Sequence, residues 1–312
     1  LFVLKPMNCP HHTQIYNHLP RSYRDLPQRY ANTTKVYRDE QTGELNGLTR
    51  VRSITQDDAH VFCRQSQVKE EFIKVWDVID RFYKTFGFSL TVELSFRDPK
   101  NPKKYLGTTK TWDDAENQLR EIAREKKAKI KEAPGEAAFY GPKIDFVTKD
   151  SLGRRQQVAT IQLDMNMPER FDLICVNEKG ERERIVMIHC AIMGSLERFM
   201  AVLLEHFDGA LPFWLAPVQT IVLSINEQIR DYAVEVAEKL EKNGIRVGLD
   251  DRNESVGKKI REAELQKIPY VLIIGLKEKD SKMVSVRKRR EGDLGSVSME
   301  ELLEKLKTED EL

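Results

Sequence analysis

The chain has 312 residues, of which 40% are hydrophobic, and its 51 Lys and Arg against 50 Asp and Glu give a formal net charge of +1. This length and apolar content predict about two domains with sizeable cores, and no apolar run reaches the roughly 18 to 20 residues that span a bilayer, so we expect no membrane partner. The balanced charge excludes a global attraction to nucleic acid, and RNA binding therefore requires local basic patches.

Cysteine usage indicates a reducing compartment. Four cysteines are scattered over the chain, at positions 9, 63, 175 and 190, which is too few and too dispersed for a disulfide framework. The first five residues also lack the charged n-region and long apolar h-region of a signal peptide, which favours a cytoplasmic protein. Such cysteines are most often small buried apolar residues, and one or two as metal ligands is the alternative.

Hydrophobic periodicity predicts alternating strands and helices in the first two thirds of the chain. Two extended segments over 33–62 flank a turn at 41–47, whose Gly and Asn residues tolerate positive φ. Apolar residues at helical spacing predict amphipathic helices at 66–86, 112–129 and 195–207. Period-two patterns predict further strands at 88–96, 137–147, 156–164 and 184–189. The many charges of the helix at 112–129 fit a solvated face, with an RNA contact as the alternative.

A change of pattern after residues 211–217 marks a domain boundary. This Leu-Pro-Phe-Trp-Leu-Ala-Pro segment is the best linker candidate, and it separates a predicted domain over 1–212 from one over 217–312. Downstream, strands are predicted at 220–225, 245–249, 270–274 and 283–287, and helices at 227–241, 256–266 and from 299 onward. Strands that alternate with helices imply βαβ units, so we expect a mostly parallel sheet.

One group of residues could hold a metal ion. Cys9 and His12 form a C-x2-H pair, and His11 lies between them. His60 follows two carboxylates, and His189 ends a predicted buried strand. Zinc binds such sulfur and nitrogen donors, and three protein ligands with an open fourth position form a catalytic or substrate-binding site. A hydrogen-bonded core histidine is the alternative for each imidazole, and spacing alone does not decide between them.

A second group lies on the two extended segments around the 41–47 turn. Their pairing would bring Arg38 close to Arg50. Paired guanidinium groups clamp carboxylates and phosphates in a planar, bidentate manner. A cross-strand ladder of ion pairs with Glu40 and Glu44 is the structural alternative.

A third group is the Gly-Ser-Leu-Glu-Arg-Phe sequence at 194–199, at a predicted strand-to-helix junction. Glycine permits close backbone approach, and Arg198 lies in the first helical turn, where the helix N-terminus favours anions such as a triphosphate. A helix-capping sequence explains the same residues, so the motif is weak by itself. The occurrence of all three groups in this order along the chain is a far more specific signal of function than any one of them alone.

Together with further segments, these groups carry a resemblance to a known family. The segments are KPMNCP at 5–10, SYRDLP at 22–27, GLTRVR at 47–52, TQDDAH at 55–60, AFYGPKI at 138–144, TIQLD at 160–164 and GSLERF at 194–199. Over essentially its whole length the chain resembles the class II aminoacyl-tRNA synthetases, and within them the threonyl-tRNA synthetases, with motif 2 at 38–40 and motif 3 at 194–199. The resemblance implies an α/β and α+β architecture: a class II-type antiparallel sheet with flanking helices, followed by a small α/β anticodon-binding domain.

The resemblance also assigns roles to single residues. It implies three zinc ligands, Cys9, His60 and His189, and two catalytic arginines, Arg38 and Arg198. It implies amino-acid contacts from Met7, Gln56, Asp58, Tyr140, Lys143 and Gln162. It implies ATP contacts from Arg38, Glu40, Arg50, Gln157, Thr160, Ser195 and Arg198. In the C-terminal domain it implies anticodon contacts from Asn253, Arg261, Glu278 and Arg287.

The implied enzyme is a threonine–tRNA ligase. It would activate L-threonine with ATP and Mg²⁺ to threonyl-adenylate and transfer it to tRNA(Thr). An apolar pocket separates threonine from valine only by about 10²-fold, whereas a site that must bond the hydroxyl does far better. The implied zinc ion binds the amino and hydroxyl groups together, with Asp58 accepting from the hydroxyl. Serine lacks only a methyl group, worth about 1–3 kcal/mol, so strong rejection of serine is not expected.

A basic segment at 277–290 fits the implied RNA contact. It holds seven Lys and Arg against two acidic residues. Such a charge attracts RNA phosphates while planar side chains read unpaired bases. From the residues alone, a solvated hairpin is the alternative.

Some features depart from the family pattern. Motif 1, which forms most of the class II dimer interface, and the editing domains would precede Leu1, so we expect homodimer formation and full activity to need upstream residues. Ile54 stands where an aromatic residue often stacks on adenine, His11 replaces a common glycine and Cys190 a common arginine. Two alternatives stay open: an RNA-binding module that has lost catalysis, and a sister ligase for prolyl or seryl substrates.

Overall fold

The computed structural model describes residues 2–310, and the chain divides after Leu203 into two compact units. The predicted linker at 211–217 lies in the second unit. No helix in the described part of the chain combines the length and apolar character that crossing a bilayer requires.

The first unit is built on one large sheet. Within residues 2–203 the strands are β1 (Gln28–Tyr37), β2 (Ser53–Cys63), β3 (Thr91–Phe96), β4 (Ile130–Pro134), β5 (Lys143–Lys149), β6 (Arg155–Asp164), β7 (Ile174–Val176), β8 (Arg182–Arg184) and β9 (Val186–Ser195). The helices are α1 (Cys9–Asn17), α2 (Val68–Thr85), α3 (Thr109–Glu125), α4 (Met167–Arg170) and α5 (Leu196–His206). The sheet has the order β1-β2-β9-β6-β5-β3-β4, and its neighbouring strands are antiparallel except for β3 and β4. The expected antiparallel sheet with flanking helices is confirmed.

Helix α2 covers one face of this sheet. It buries Phe72, Trp76, Ile79 and Tyr83 at intervals of three and four residues, the spacing that places side chains on one helix face. The Trp76 ring packs edge-on against Phe146 of β5, with 5.1 Å between ring centroids. Burial of each such side chain contributes about 1.5–3 kcal/mol, so this face carries a large part of the core.

Two predicted strands have different bounds from those expected. The strand predicted to end at His189 continues to Ser195, because β9 pairs with β2 on one side and β6 on the other beyond that point. The strand predicted over 137–147 begins only at Lys143. Before it the chain turns, and Gly141 approaches β6 so closely that a Cβ atom there would lie 1.8 Å from the carbonyl oxygen of Leu163.

Several elements of the first unit were not predicted: α1, α4, β4, β7 and β8. Helix α1 begins after Asn8 and has Pro10 in its first turn, residue types typical of a helix start, but its few apolar residues show no helical periodicity. Strand β4 lies at the sheet edge and is largely exposed. It has no apolar alternation to reveal it, because neither of its faces packs against the core.

The second unit has a smaller sheet. Within residues 204–310 the strands are β10 (Thr220–Ser224), β11 (Val247–Asp250), β12 (Tyr270–Ile274), β13 (Met283–Lys288) and β14 (Gly292–Ser298). The helices are α6 (Arg230–Lys242), α7 (Val256–Leu265), α8 (Leu276–Ser281) and α9 (Met299–Asp310). The sheet order is β11-β10-β12-β13-β14. This is the small α/β domain that the sequence predicts.

The expectation of a mostly parallel sheet in this unit was wrong. β10 is parallel to β11 and β12, but β12 pairs antiparallel with β13, and β13 with β14. Parallel neighbours need a crossover of a dozen or more residues. The short connection from β12 through α8 to β13 is not long enough for one, so the chain returns antiparallel.

Candidate functional site

Three side chains singled out as metal ligands converge on the sheet face opposite α2. Cys9 begins α1, His60 lies on β2, and His189 lies directly across from His60 on β9. One donor atom from each lies within 4.8 Å of the others. His189 Nδ1 is 3.4 Å from Cys9 Sγ and 3.0 Å from His60 Nε2. Residues from three separate parts of the chain therefore form one compact cluster.

The donor set fits a zinc ion. A tetrahedral zinc ion with bonds of about 2.0–2.3 Å holds its ligand atoms about 3.3–3.8 Å apart. The two separations that His189 Nδ1 makes, 3.4 Å to Cys9 Sγ and 3.0 Å to His60 Nε2, are close to this range. One thiolate and two imidazoles match the ligand types that zinc prefers. Three protein ligands also leave a fourth position open, as a substrate-binding metal requires.

Two further residues fix the orientation of the histidine rings. Asp164 Oδ2 lies 2.9 Å from His189 Nε2, and His12 Nδ1 lies 2.8 Å from His60 Nδ1. Each contact engages the ring nitrogen outside the cluster and leaves the other nitrogen directed at the shared centre. The sequence analysis named His12 as a member of a C-x2-H pair and missed Asp164, whose only signal is a carboxylate at the end of an apolar strand.

Burial controls the charges of these groups. Burial, with the adjacent His189 and His12 rings, lowers the pKa of His60 to about 2, so the ring stays neutral, which is the form that binds metals. Burial also raises the pKa of Asp58 to about 6. Asp58 precedes His60 by two residues on β2 and therefore shares its sheet face.

The residues predicted to contact the amino acid surround this cluster in part. The Tyr140 ring lies 5.2 Å from the His189 ring between centroids, and Gln162 of β6 is the strand partner of His189. Gln162 Nε2 donates to the carbonyl of Gly141 at 3.0 Å. This hydrogen bond joins β6 to the segment that carries Tyr140. Met7 is exposed just before α1.

A cavity of about 330 Å³ continues along the same face of the sheet. Its lining includes all the predicted ATP contacts and one predicted amino-acid contact: Arg38, Glu40, Arg50, Gln56, Gln157, Thr160, Ser195 and Arg198. Ala191 also lines it and lies two residues beyond His189 on β9. We call the group Cys9, His60 and His189 the metal-type cluster and this cavity, which Arg38, Arg50 and Arg198 line, the arginine cavity. The two sites therefore follow each other along β9.

Three arginines give the cavity its positive charge. Arg198 Nε donates to the carbonyl of Thr49 at 2.9 Å, which fixes its guanidinium group. Burial lowers the pKa of Arg198, and the nearby Arg38 and Arg50 lower it further. Like charges held together in this way favour a polyanionic ligand such as a triphosphate.

The ion-pair alternative for Arg50 is also present. Arg50 Nη2 lies 2.8 Å from Glu40 Oε2 and 3.2 Å from Glu44 Oε1. All three residues are at the exposed turn between β1 and β2. Since exposed ion pairs contribute only about 0–1 kcal/mol, this one leaves Arg50 available to a phosphate group.

Asp145 on β5 organises several predicted site residues, although the sequence analysis missed it. Its carboxylate accepts from Lys143 Nζ at 2.6 Å, Gln157 Nε2 at 2.7 Å and Ser95 Oγ at 2.6 Å. The Thr160 hydroxyl also donates to it. A lone carboxylate inside an apolar strand was the available signal, because burial of a charge requires such partners.

Asp57 shapes the junction between β9 and α5. Its carboxylate accepts hydrogen bonds from the backbone N–H groups of Ile192, Met193 and Gly194, each at 2.8 Å. Gly194 has a φ of 72°, in the region that favours glycine. This contact sets where the Gly-Ser-Leu-Glu-Arg-Phe segment turns from strand to helix.

In the second unit, the predicted anticodon contacts lie on four separate elements. Asn253 follows β11, Arg261 is on α7, Glu278 is on α8 and Arg287 is on β13. Asn253 and Arg261 are exposed, and the other two are partly buried. Glu278 Oε2 also accepts from the backbone N–H of Gly275 at 3.0 Å and caps α8.

The basic segment at 277–290 forms α8, β13 and most of the turn that joins β13 to β14 in an antiparallel hairpin. Two of its cations are bound inside the unit. Lys288 Nζ lies 2.7 Å from Glu309 Oε1, and Arg289 Nη2 donates to the carbonyl of Leu211 at 2.7 Å. Part of the charge that the sequence presents therefore stabilises the unit itself.

Comparison with known families identifies both units. The tRNA synthetase class II core domain (G, H, P, S and T) matches residues 1–207, and the anticodon binding domain matches residues 219–309. The chain belongs to the class II tRNA synthetases. Within this family it is similar to the threonine–tRNA ligases of Parabacteroides distasonis, 52% identical over 299 residues, and Chlorobium phaeovibrioides, 51% identical over 309 residues.

Coverage of these relatives is partial. The two alignments include 96% and 99% of this chain but 46% of each relative, so the chain spans about half the length of the curated relatives it matches. It is also similar to the crystal structure of the RNA binding domain of threonyl-tRNA synthetase from Cryptosporidium parvum Iowa II. That match has a TM-score of 0.90 and 42% identity, and it covers 97% of this chain and 76% of that one.

The three departures from the family pattern lie at different distances from the site. Ile54 lines the arginine cavity. His11 is exposed on α1. Cys190 is buried and lines a separate cavity with Val75 and Val78 of α2, so its side chain faces away from the metal-type cluster.

Proposed function

We propose that this chain carries the threonine-activating core and the anticodon-binding domain of a threonine–tRNA ligase. The observation that carries the proposal is the convergence of Cys9, His60 and His189 within 4.8 Å. The adjoining cavity, with its three arginines, supports an ATP site beside it. The names of the relatives support the same activity.

Cys9, His60 and His189 would hold a zinc ion, which when bound would coordinate both the amino and the hydroxyl group of threonine on the side that the protein ligands leave open. Asp164 and His12 each contact the outer nitrogen of one ligand imidazole and so keep its other nitrogen turned toward the shared centre. The ligand rings would be held before substrate arrives, which reduces the reorganisation that binding requires.

The protein side chains around the ion complete the selection of threonine. Asp58 accepts a hydrogen bond from the substrate hydroxyl, and Tyr140 faces its amino group. Valine presents a methyl group in place of the hydroxyl. It would leave the buried Asp58 without its partner, and an unsatisfied buried polar group costs about 1–3 kcal/mol or more.

The arginines act on the nucleotide. Arg38 neutralises the threonine carboxylate and the α-phosphate, while Arg50 and Arg198 hold the triphosphate of ATP, whose Mg²⁺ enters as part of the substrate. A carboxylate oxygen attacks the α-phosphorus, and the bond to pyrophosphate breaks. No side-chain nucleophile is required, since the substrate carboxylate is already ionised, and catalysis comes from positioning and charge neutralisation.

The second substrate is tRNA(Thr). Its 3′-terminal hydroxyl attacks the carbonyl carbon of threonyl-adenylate, and AMP leaves. Asn253, Arg261, Glu278 and Arg287 would read the anticodon from the second unit. In the longer protein we also propose a homodimer, as expected for the family.

The decisive experiment is ATP–pyrophosphate exchange with threonine, serine, valine and proline, with and without a zinc chelator. We expect exchange with threonine and, more weakly, serine, and loss of both after chelation. Exchange with proline alone would identify a sister ligase. Threonine exchange that survives complete removal of zinc would contradict the proposed role of the three ligands.

A matched pair of cysteine variants sharpens this test. Cys9→Ala should lose stoichiometric zinc and threonine binding together, as measured by elemental analysis and calorimetry. Cys63→Ala, which changes a fully buried cysteine at the far end of β2, should keep both. Zinc retained at one equivalent in Cys9→Ala would assign the metal to other donors.

A further inference from the structure

A loop on the first unit carries a concentration of lysines that the proposed chemistry does not use. Residues 97–108 connect β3 to α3, and within them Lys100, Lys103 and Lys104 are all exposed. Among the interactions of residues 2–310, none of these three ammonium groups forms an ion pair, although Lys104 lies 5.8 Å from the Tyr105 ring centroid. The loop therefore presents three exposed cations that no carboxylate in residues 2–310 holds in an ion pair. The hydrogen bond from Asn101 lowers the pKa of the Asp98 carboxyl most, and the nearby charges of Lys100 and Lys104 lower it further.

The acidic and basic residues at the base of the loop are already engaged. Asp98 accepts from the backbone N–H of Lys100 at 2.9 Å and from Asn101 Nδ2 at 2.5 Å. Arg97 pairs with Asp113 and donates to the carbonyl of Thr109 at 3.0 Å. The arginine thus closes the loop, while the lysines remain directed at solvent.

Hydrogen bonds and ring packing hold the loop rigidly. Asp98 N–H donates to the Tyr105 hydroxyl at 2.9 Å, and the buried Tyr105 packs edge-on against Trp112 with 5.0 Å between centroids. Trp112 Nε1 donates to the carbonyl of Leu106 at 2.6 Å. A loop fixed in this way keeps its three lysines in one arrangement, so that ligand binding needs little ordering of the backbone.

The loop is joined directly to the wall of the amino-acid site. Leu106 N–H donates to the carbonyl of Phe139 at 2.7 Å, next to Tyr140. Asn166 Nδ2 donates to the carbonyl of Tyr140 at 2.8 Å, and a Cβ on Gly107 would lie 2.5 Å from Asn166 Oδ1. Since the Tyr140 ring packs near His189, the loop that carries the lysines is joined by these contacts to the wall of the proposed threonine site.

We propose that Lys100, Lys103 and Lys104 bind backbone phosphates of the tRNA acceptor arm and so guide its 3′ end to the threonine site. The proposal rests on the proposed function, because that reaction requires an RNA end beside Tyr140 and the zinc ligands. Lysines act as point charges on phosphates without reading sequence. The interaction therefore contributes affinity and placement, and it leaves recognition of tRNA(Thr) to other contacts.

The test uses the full 312-residue chain and an RNA hairpin that contains only the acceptor and T arms of tRNA(Thr). Its dissociation constant is measured by fluorescence anisotropy between 50 and 200 mM salt, roughly the range over which phosphate contacts change most. The triple variant Lys100→Gln, Lys103→Gln, Lys104→Gln should bind about tenfold more weakly. Its slope of log K against log salt should be smaller by about 2 to 3, since each phosphate contact contributes about 0.9.

A second triple variant provides the matched control. Lys84→Gln, Lys149→Gln and Lys179→Gln remove the same charge from exposed positions on α2, at the far end of β5 and between β7 and β8. We expect this variant to bind the hairpin like the unchanged chain. An equal loss in both triple variants, or no loss in the first, overturns the proposal.

Threonine-dependent ATP–pyrophosphate exchange separates this proposal from the proposed function. The loop variant should exchange at the rate of the unchanged chain, because the lysines touch neither threonine nor ATP. If the unchanged chain shows no exchange, the proposed function fails, while the comparison of hairpin affinities still decides the role of the loop.

Discussion

The carboxylate of Asp164 lies 2.9 Å from Nε2 of His189, while Nδ1 of the same ring faces Cys9 Sγ at 3.4 Å. Asp164 is itself completely buried, and its other oxygen accepts from the backbone N–H groups of Asn166 and Met167, each at 2.9 Å. The carboxylate is thus fixed by the backbone and in turn fixes the imidazole. This chain of contacts determines which ring nitrogen is offered to a metal ion.

We therefore predict that Asp164→Asn lowers zinc affinity by about 10–100-fold, the usual effect of removing a partner of a metal ligand. The amide can still accept from the two backbone N–H groups, so the fold should be retained. Competition with a chelator of known affinity measures the effect. Asp172→Asn, an exposed position that pairs with Arg182 and Arg184, should leave zinc affinity unchanged.

Gly141→Ala should destabilise the first unit by more than about 2 kcal/mol. The added Cβ would lie 1.8 Å from the carbonyl oxygen of Leu163, and backbone atoms cannot move aside without breaking the pairing of β5 and β6. Gly43→Ala is the control, because no atom lies within 4 Å of its Cβ position. Chemical denaturation followed by tryptophan fluorescence compares them, and equal midpoints for the two variants would contradict the close approach.

The first unit should lose stability in acid partly through Glu71. Burial opposes ionisation of this carboxyl, but hydrogen bonds from Arg29 and Lys74 outweigh burial and hold its pKa below the usual value. A group with a depressed pKa stabilises the fold above its unfolded pKa of about 4.3 and loses that contribution as the pH falls through the folded pKa.

The variant Glu71→Gln should accordingly unfold more easily at pH 7, by about 1–3 kcal/mol, the contribution of hydrogen bonds to charged groups. Its stability should fall less between pH 5 and pH 2.5 than that of the unchanged chain, in urea titrations at each pH. Glu70→Gln changes an exposed neighbour that pairs with Lys74 and should show neither effect. Parallel pH profiles for Glu71→Gln and the unchanged chain would refute this assignment.

Lys259 should stabilise the carboxyl ends of two parallel strands in the second unit. Its side chain is fully buried, and Nζ donates to the carbonyls of Ser224 at 2.8 Å and Asp250 at 3.1 Å, the last residues of β10 and β11. Lys259→Met would leave both carbonyls short of a donor, at about 1–3 kcal/mol. Hydrogen exchange should then accelerate in β10 and β11, while Lys258→Met, which removes an exposed pair with Glu254, should not change it.

Much of the fold was predictable because its elements carry local patterns. The apolar spacing of six residues predicts α2: Val68, Phe72, Val75, Trp76, Ile79 and Phe82. Four of them are buried, and Tyr83 rather than Phe82 completes the buried face. Strand register is a different matter, since it depends on contacts between distant segments. His60 and His189 are 129 residues apart and pair directly across β2 and β9. Spacing alone left their role open, and only the resemblance to a family selected them as ligands.

The residues that organise the site were harder to find than those predicted to touch substrate. Asp145 binds three predicted site residues at once, and Asp57 holds the turn into α5. Each is a single carboxylate in a strand. A period-two pattern does not distinguish a buried carboxylate with several hydrogen-bond donors from an exposed one. Their partners come from other strands, so their role becomes visible only once the sheet is assembled.

Strand β9 carries His189 near its middle and Ser195 at its end, and between them its pairing with β2 shifts register, with Gly194 at a φ of 72°. The metal-type cluster and the arginine cavity are thus both positioned by one strand, which is hydrogen-bonded along both edges near His189. A change that shifted the register of β9 by one residue would turn the His189 imidazole toward α2 and would move Ser195 at the same time. If the proposed function holds, mutations that loosen β9 should therefore abolish amino-acid and nucleotide binding as a single event.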